Sequence, residues 1–182
     1  GIEGILQEKI IDLLDHINNT MDLDKLAQTP AAALGSCRFK LAGPEEDTAQ
    51  YRVLIDIFRK YDISYFIYIG GNDSMDTVDK LARYCRSQQI EDIKIIGAPK
   101  TIDNDLNGTD HCPGFASAAK YIATSVMEVA RDCRVYNKGM ITIIECMGRH
   151  AGWLTAATVL PAAKGDGPDL IYLPEVGFDM AD

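Results

Sequence analysis

Two carboxylates and a lysine stand close together in one short stretch of the sequence, GAPKTIDND at residues 97–105. Asp103 and Asp105 flank one amide residue, and Lys100 precedes them. A carboxylate beside a cation suits proton abstraction from a hydroxyl during phosphoryl transfer, because positioning and charge neutralisation supply most of that catalysis. Carboxylates in loops also commonly do no more than solvate a turn. This stretch alone therefore leaves both interpretations open.

The elements around this stretch predict where it lies in the fold. An apolar run at residues 93–96 predicts a strand before it, and apolar residues at helical spacing predict a helix after Pro113. An earlier strand at residues 65–69 leads through two glycines into a helix that Ser74 could cap. Strands that alternate with helices indicate a largely parallel sheet covered on both faces. The predicted fold class is therefore α/β, a three-layer sandwich with a mostly parallel sheet.

The rest of the chain extends this alternation. Apolar runs at residues 140–144 and 170–173 predict two more strands, and a helix is predicted between them at residues 153–160. In the less legible first 60 residues, the pattern at residues 48–61 also predicts a helix. Because the carboxyl ends of parallel strands meet at one edge of a sheet, the loops after the first three strands should converge there.

Two of these loops carry glycine next to polar groups. Residues 70–74 (GGNDS) open a helix, and glycine lets the backbone approach an anion at a helix N-terminus. Residues 147–150 (MGRH) place a guanidinium beside a glycine, a combination that can bind phosphate with two hydrogen bonds. Each loop taken alone is equally compatible with a simple turn. Their expected convergence with residues 97–105 is what favours a phosphate-handling site.

The composition narrows the classes of partner. Its 27 acidic and 18 basic residues give a net charge of −9, which argues against nucleic acid or an anionic membrane surface as a partner. The five cysteines form no C-x-x-C pair, which is typical of reduced thiols in a cytosol. The sequence has no apolar run of membrane-spanning length and begins without a signal-peptide pattern. These features predict a cytoplasmic globular protein.

Four blocks in a fixed order closely resemble the phosphofructokinase family, and within it the pyrophosphate-dependent branch. The blocks are GGNDS (70–74), PKTIDND (99–105), MGRHAGWL (147–154) and PEV (174–176), and the resemblance also includes GSCR at residues 35–38. It implies a Rossmann-like lobe and a magnesium-dependent, reversible glycolytic reaction. In that reaction pyrophosphate phosphorylates the 1-hydroxyl of fructose 6-phosphate to give the 1,6-bisphosphate. It further implies a homodimer or homotetramer.

The resemblance implies a role for individual positions. Asp103 matches the general base that takes the proton from the sugar 1-hydroxyl. Thr101 and Asp105 match neighbours that contact the sugar and organise the metal-phosphate centre. The catalytic residues that the resemblance implies are Asp103, Lys100, Asp73 and Arg149, and Arg149 also belongs to the turn that binds the sugar phosphate. The remaining substrate contacts that it implies are Ile102, Met147, Gly148, Arg38, Gly71 and Ser74.

Two positions bear on the phosphoryl donor. ATP-using relatives usually carry glycine where this chain has Asp73 and where it has Lys100. A carboxylate at position 73 would repel the α-phosphate of a nucleotide and clash with it, whereas pyrophosphate lacks that group. Lys100 would then make a charge-assisted contact to the transferring or leaving phosphate. Outside this family, the first would be read as a helix N-terminal charge and the second as a solvated cation.

Two departures from the family pattern weaken parts of this assignment. Asn72 stands where many relatives have an aspartate ligand for magnesium, and an amide oxygen is a poorer ligand for that hard cation. The metal-site expectation therefore includes Asn72 and Asp105, with Asp103 and the phosphates in support. Met140 stands where bacterial ATP enzymes place an arginine that reaches the sugar 6-phosphate across a subunit interface. How that phosphate is held is left open.

The resemblance also implies how the chain is organised. Residues 1–182 match the donor-phosphate-binding lobe, and we expect them to lack its first strand and phosphate loop as well as the second, sugar-binding lobe. We accordingly expect this stretch alone to be inactive. Two alternatives stay open: an ATP-dependent 6-phosphofructokinase, and a non-catalytic regulatory subunit that binds sugar phosphates. The presence of Asp103 argues against the second alternative.

Overall fold

The computed structural model describes residues 1–17 and 19–179, and the chain divides into two units, Gly1–Ala98 and Pro99–Asp182. The first unit begins with α1 (Ile2–Leu6), a 3-10 helix (Leu13–Asp15) and α2 (Thr20–Gln28). It continues with α3 (Thr48–Lys60), β1 (Tyr65–Gly70), α4 (Asn72–Ser87) and β2 (Lys94–Pro99), whose last residue belongs to the second unit. The second unit contains α5 (Phe115–Cys133), α6 (Trp153–Ala156) and a 3-10 helix (Ala157–Lys164).

The core of the first unit forms around α3. The Asp47 carboxylate caps this helix by accepting from the backbone N–H groups of residues 49 and 50, at 3.1 and 3.3 Å. Its apolar stripe, which includes Tyr51, Leu54 and Phe58, is fully buried. Leu81 of α4 joins the same cluster. The helix predicted at residues 48–61 is confirmed.

β1 and β2 form a two-stranded parallel sheet. Their first residues lie side by side, since the Lys94 N–H donates to the Ser64 carbonyl at 2.8 Å, and α4 makes the crossover between them. Side chains alternate along β1: Phe66 and Tyr68 pack on the core, while residues 65, 67 and 69 are exposed. The predicted α/β class with a parallel sheet is confirmed, and so are the strands predicted at residues 65–69 and 93–96.

Other predicted boundaries need correction. Ser74 does not cap α4, because Gly71 is the N-cap residue and no side chain caps it. The runs at residues 140–144 and 170–173 are not strands and take no part in the sheet. Ile141 and Ile143 are 92% and 90% exposed. Their alternating pattern fits a strand, yet a strand also needs a hydrogen-bonded neighbour, and neither run has one in the described part of the chain.

The second unit forms around the long helix α5. It begins after Gly114, as predicted, and packs along the 3-10 helix Ala157–Lys164. The predicted helix at residues 153–160 is only partly confirmed: α6 ends at Ala156 and the chain continues as a 3-10 helix that contains Pro161. Proline lacks the N–H that an α-helical hydrogen bond needs, which disfavours continuation of α6. Among the described residues, no helix is both long and apolar enough to cross a bilayer.

A buried carboxylate joins the end of α5 to the segment after the 3-10 helix. Asp166 is 6% exposed and accepts from the Arg131 and Arg134 guanidinium groups at 2.9 and 3.0 Å. Arg134 also donates to the carbonyl of Gly165 at 2.9 Å. The hydrogen bond from Arg131 is the main cause that lowers the pKa of Asp166 below its usual value. This cluster therefore stabilises the second unit only while the carboxyl is ionised.

We expect Asp166→Asn to lower the thermal unfolding midpoint at neutral pH, with the difference from wild type shrinking below about pH 4. The sign follows from the lowered pKa of the folded state. Ionised Asp166 contributes its stabilisation above the unfolded pKa, and that contribution is lost as the pH falls through the folded pKa. Thermal unfolding measured between about pH 3 and pH 7 checks this, with the exposed Asp169→Asn as the matched control. A difference that does not vary with pH would contradict it.

Candidate active site

The loop between β2 and α5 is organised by the side chain of Asn104. This residue is 7% exposed and has a left-handed backbone with φ of +60°. Its Nδ2 donates to the Asp110 carbonyl at 3.2 Å, and its Oδ1 accepts from the Cys112 N–H at 2.8 Å. Asparagine is among the few residues that adopt this backbone conformation readily. The loop is thereby closed onto residues that precede α5.

Asp103 lies just before this turn. Its backbone N–H donates to the Thr101 Oγ1 at 3.0 Å. The hydroxyl of Thr101, itself a predicted site residue, therefore holds the backbone of Asp103. The Oδ1 atom of Asp103 is buried and has no hydrogen-bond partner in the protein. An unpaired buried carboxylate oxygen is costly, and its persistence marks a place where an external group could supply the missing partner. Asp103 thus combines a fixed position with an unsatisfied acceptor.

The other predicted residues of this loop differ in exposure. Ile102 is half-buried, and its Cγ2 lies close to Gly114, since a Cβ placed there would come within 3.2 Å of it. Lys100 and Asp105 are exposed, so both charges are free to meet a ligand from solvent. Among the described residues, no three His, Cys, Asp or Glu side chains gather into a metal cluster. The metal-ligand role expected of Asp105 therefore stays a prediction.

The turn at residues 147–150 requires its glycine. Gly148 has φ of +116°, and a Cβ at this position would overlap the carbonyl oxygen of Ala151. The turn leaves Met147 and Arg149 exposed, with Met147 at 64%. Burial raises the pKa of the preceding Cys146 thiol, which keeps it protonated and poorly nucleophilic. The arginine is thus the group of this turn that suits an anionic ligand.

We expect Gly148→Ala to destabilise this turn by about 1–3 kcal/mol. Alanine would have to adopt a backbone conformation that favours glycine, and its methyl group would overlap a carbonyl oxygen. The thermal unfolding midpoint of the protein should fall by a few degrees. Gly177→Ala is the control, since Gly177 has an unstrained φ and open space around its Cβ position. Equal midpoints for the two variants would show that the turn at Gly148 is not strained.

Glu175, in the PEV block, supports the segment after this turn. Its Oε1 accepts from the Gly152 N–H at 2.7 Å, at the N-cap residue of α6. The aromatic rings of Phe115 and Trp153 also contact each other edge to face, with centroids 6.5 Å apart. These are the first residues of α5 and α6. The loop that holds Asp103 and the turn that holds Arg149 therefore lead into neighbouring helix N-termini.

The remaining predicted residues lie in the first unit. Gly71, Asn72 and Asp73 form the N-terminus of α4, where Asp73 lies exposed in the first turn. Ser74 is half-buried and lies against Gly70, where any Cβ would overlap its Oγ. The β1–α4 turn thus places backbone N–H groups and one carboxylate at the surface. A convergence of this turn with the loops of the second unit stays a prediction.

Arg38 is exposed and precedes a segment that is held from two sides. The Tyr51 hydroxyl donates to the Ala42 carbonyl at 2.5 Å, and burial raises the pKa of Tyr51 to about 12, so this donor stays protonated. The Lys80 ammonium donates to the Leu41 carbonyl at 3.0 Å. These bonds anchor the chain just after Arg38 and leave its guanidinium free to contact a ligand.

A comparison with known protein families covers all of these blocks. The profile described as Phosphofructokinase matches residues 1–182, the whole length of the chain.

The chain belongs to the phosphofructokinase family.

Individual relatives place this phosphofructokinase chain more narrowly. It is 47% identical, over its full length, to a pyrophosphate--fructose 6-phosphate 1-phosphotransferase from Xanthomonas campestris pv. campestris, of which it covers 43%. It is 44% identical to a protein of the same name from Halomonas elongata, again covering 43%. A crystal structure of the pyrophosphate-dependent phosphofructokinase from Marinobacter aquaeolei matches 98% of the chain and 44% of that protein, with a TM-score of 0.76 and 42% identity. The chain thus spans less than half the length of these relatives.

Two residues that shape these loops of the phosphofructokinase chain are not predicted as site residues from the sequence. Asn104 stands out there only as the amide between two acids, although asparagine in a loop tolerates a left-handed backbone. Glu175 stands out only as part of a motif, with no contact of its own. The partner of Glu175, Gly152, is 23 residues away in sequence, and no periodicity or spacing indicates such a pair.

Proposed function

We propose that the full-length protein carrying this chain is a pyrophosphate-dependent 6-phosphofructokinase. It transfers a phosphoryl group reversibly from pyrophosphate to the 1-hydroxyl of fructose 6-phosphate. The proposal is supported by the family membership, by the names of the relatives and, above all, by the buried and unpaired Oδ1 of Asp103. Residues 1–182 would contribute the donor-phosphate-binding lobe of a cytoplasmic homodimer or homotetramer.

Asp103 would act as the general base of this reaction. A carboxylate oxygen with no protein partner can accept the proton of the sugar 1-hydroxyl as the oxygen attacks phosphorus. The proton passes to Asp103, the new O–P bond forms, and the bond to the leaving phosphate breaks. In the reverse direction Asp103 returns the proton to the departing sugar oxygen.

The cationic side chains would neutralise charge that develops on the phosphates. Lys100 and Arg149 are exposed, and each can turn toward an anionic ligand at little cost because its charged group extends into solvent. Lys100 would contact the transferring or leaving phosphate, and Arg149, with Met147 and Gly148, would bind the sugar phosphate. Arg38 would contact the donor from the first unit.

The donor preference would come from Asp73 at the start of α4. Its carboxylate is exposed in the first turn of that helix, beside backbone N–H groups that suit a phosphate. Pyrophosphate can bind such N–H groups without extending past them. A nucleotide carries an additional α-phosphate, which a carboxylate at this position would repel.

Magnesium fits the oxygen ligands that two of the predicted residues offer. The exposed carboxylate of Asp105 is a hard donor of the kind that magnesium prefers, and Asn72 offers a weaker amide oxygen. These two groups do not complete an octahedral site, so phosphate oxygens and waters would supply the other ligands. When bound, the ion would neutralise phosphate charge.

Assays of the full-length protein test the proposal. Fructose 1,6-bisphosphate formation is measured from fructose 6-phosphate and magnesium, with pyrophosphate and ATP in parallel. We expect turnover with pyrophosphate and at most weak turnover with ATP. Preference for ATP would overturn the donor assignment, while absence of turnover with both donors would favour a regulatory subunit that binds sugar phosphates.

A further inference from the structure

Asn104 stands between the two carboxylates of the candidate site and has no part in the chemistry described above. Its amide is almost fully buried, and both of its ends are used inside the protein. The donor meets the carbonyl of Asp110, and the acceptor meets the N–H of Cys112. The side chain therefore ties the middle of the loop to the residues immediately before α5.

This tie constrains the preceding residue. Asp103 and Asn104 share a peptide plane, so a buried Asn104 with a fixed φ orients the peptide group that follows Asp103. On the other side, the Asp103 N–H is held by Thr101 Oγ1. The backbone of Asp103 is thus held on its N-terminal side by Thr101 and on its C-terminal side by Asn104. An unpaired buried oxygen such as its Oδ1 persists only where the surrounding structure over-determines the geometry.

We propose that Asn104 is a positioning residue for phosphoryl transfer, an inference that rests on the proposed function. Its amide holds the loop in the one conformation that presents Asp103 Oδ1 to the substrate hydroxyl. Asparagine meets three demands here: it tolerates positive φ, it donates to Asp110 and it accepts from Cys112. Glycine would meet only the first demand, and aspartate would meet the first and third.

Steady-state kinetics of the full-length protein separate this role from a purely structural one. Asn104→Gly keeps the backbone freedom but loses both hydrogen bonds, and we expect kcat to fall about 100-fold, because small misplacements of a reacting group cost about that much. The KM for fructose 6-phosphate should stay within about threefold, since Asn104 contacts no substrate. Asn104→Asp keeps the bond to Cys112 and should lose roughly tenfold or more in kcat. The matched control is Asn107→Asp, which makes the same change at an exposed position of the same loop.

Thermal unfolding and circular dichroism of each variant complete the test. A kcat loss in enzyme that is folded at the assay temperature supports the inference. A loss that only follows the folded fraction overturns it, as does a raised KM with unchanged kcat. Should Asn104→Gly fail to fold, Asn104→Asp supplies the same comparison. An inactive wild type would overturn the proposed function and the inference with it, whereas an active wild type with unaffected variants would overturn the inference alone.

Discussion

Asp103→Asn should reduce kcat of the full-length protein by about 10²–10⁴-fold, the usual contribution of a general base. The amide has the shape of the carboxylate but cannot accept the sugar proton. The bond from the Asp103 N–H to Thr101 involves only the backbone of Asp103 and survives the substitution. The KM for fructose 6-phosphate should change little, so the loss should fall on the chemical step. Initial rates with pyrophosphate and saturating fructose 6-phosphate measure it.

The same substitution should leave the thermal unfolding midpoint unchanged or raise it. Wild-type Asp103 holds a carboxylate oxygen in a buried position without a partner, and removal of that charge relieves a desolvation cost. Asp110→Asn is the matched control, because it neutralises an exposed carboxylate of the same loop, and only the backbone carbonyl of Asp110 bonds Asn104. Reduced activity in both variants would assign the effect to loop charge. A large fall in the midpoint of Asp103→Asn would assign Asp103 a structural role.

The predicted fold was most accurate where a sequence pattern and its physical cause lie within one element. The stripe of α3 is such a case, and so are the alternation of β1 and the start of α5 after Gly114. The runs at residues 140–144 and 170–173 show the limit of this reasoning. Their patterns indicate which side chains a sheet would bury. Strand formation, however, also depends on a hydrogen-bonded neighbour from elsewhere in the sequence.

The candidate site shows a similar division. Residue types at fixed spacing indicated the loop, its carboxylates and the turn at residues 147–150. The contacts that shape these loops were not predictable, because Asn104 bonds residues further along the loop and Glu175 bonds Gly152 across a wide sequence separation. Phe115 and Trp153 likewise meet through packing of α5 on α6. The local sequence indicates which side chains can perform the chemistry, whereas tertiary contacts determine how those side chains are oriented.

Asp73→Gly should allow the full-length protein to use ATP, raising kcat/KM for ATP about 10-fold to 100-fold. Two like charges about 4 Å apart repel by roughly 4 kcal/mol at an effective dielectric of 20. Because Asp73 is exposed, solvent and salt reduce that value, which is why the expected gain is smaller than full relief of the repulsion. The stability cost should be modest, about 1–2 kcal/mol, since α4 loses a favourable charge in its first turn and gains a glycine. Parallel assays with ATP and pyrophosphate measure the change.

Asp73→Asn separates the two physical causes of ATP exclusion. It removes the charge and keeps the bulk, so a gain as large as that of Asp73→Gly would assign ATP exclusion to repulsion, and no gain would assign it to the clash.

Adding Lys100→Gly to Asp73→Gly should lower turnover with pyrophosphate more than turnover with ATP, because the lysine is expected to serve the pyrophosphate reaction. Asp79→Asn is the control, because it neutralises an exposed carboxylate of the same helix that lies beyond the first turn and pairs with Arg83. If no Asp73 variant accepts ATP, the donor preference does not originate at the N-terminus of α4, and the carboxylate there serves the helix dipole alone.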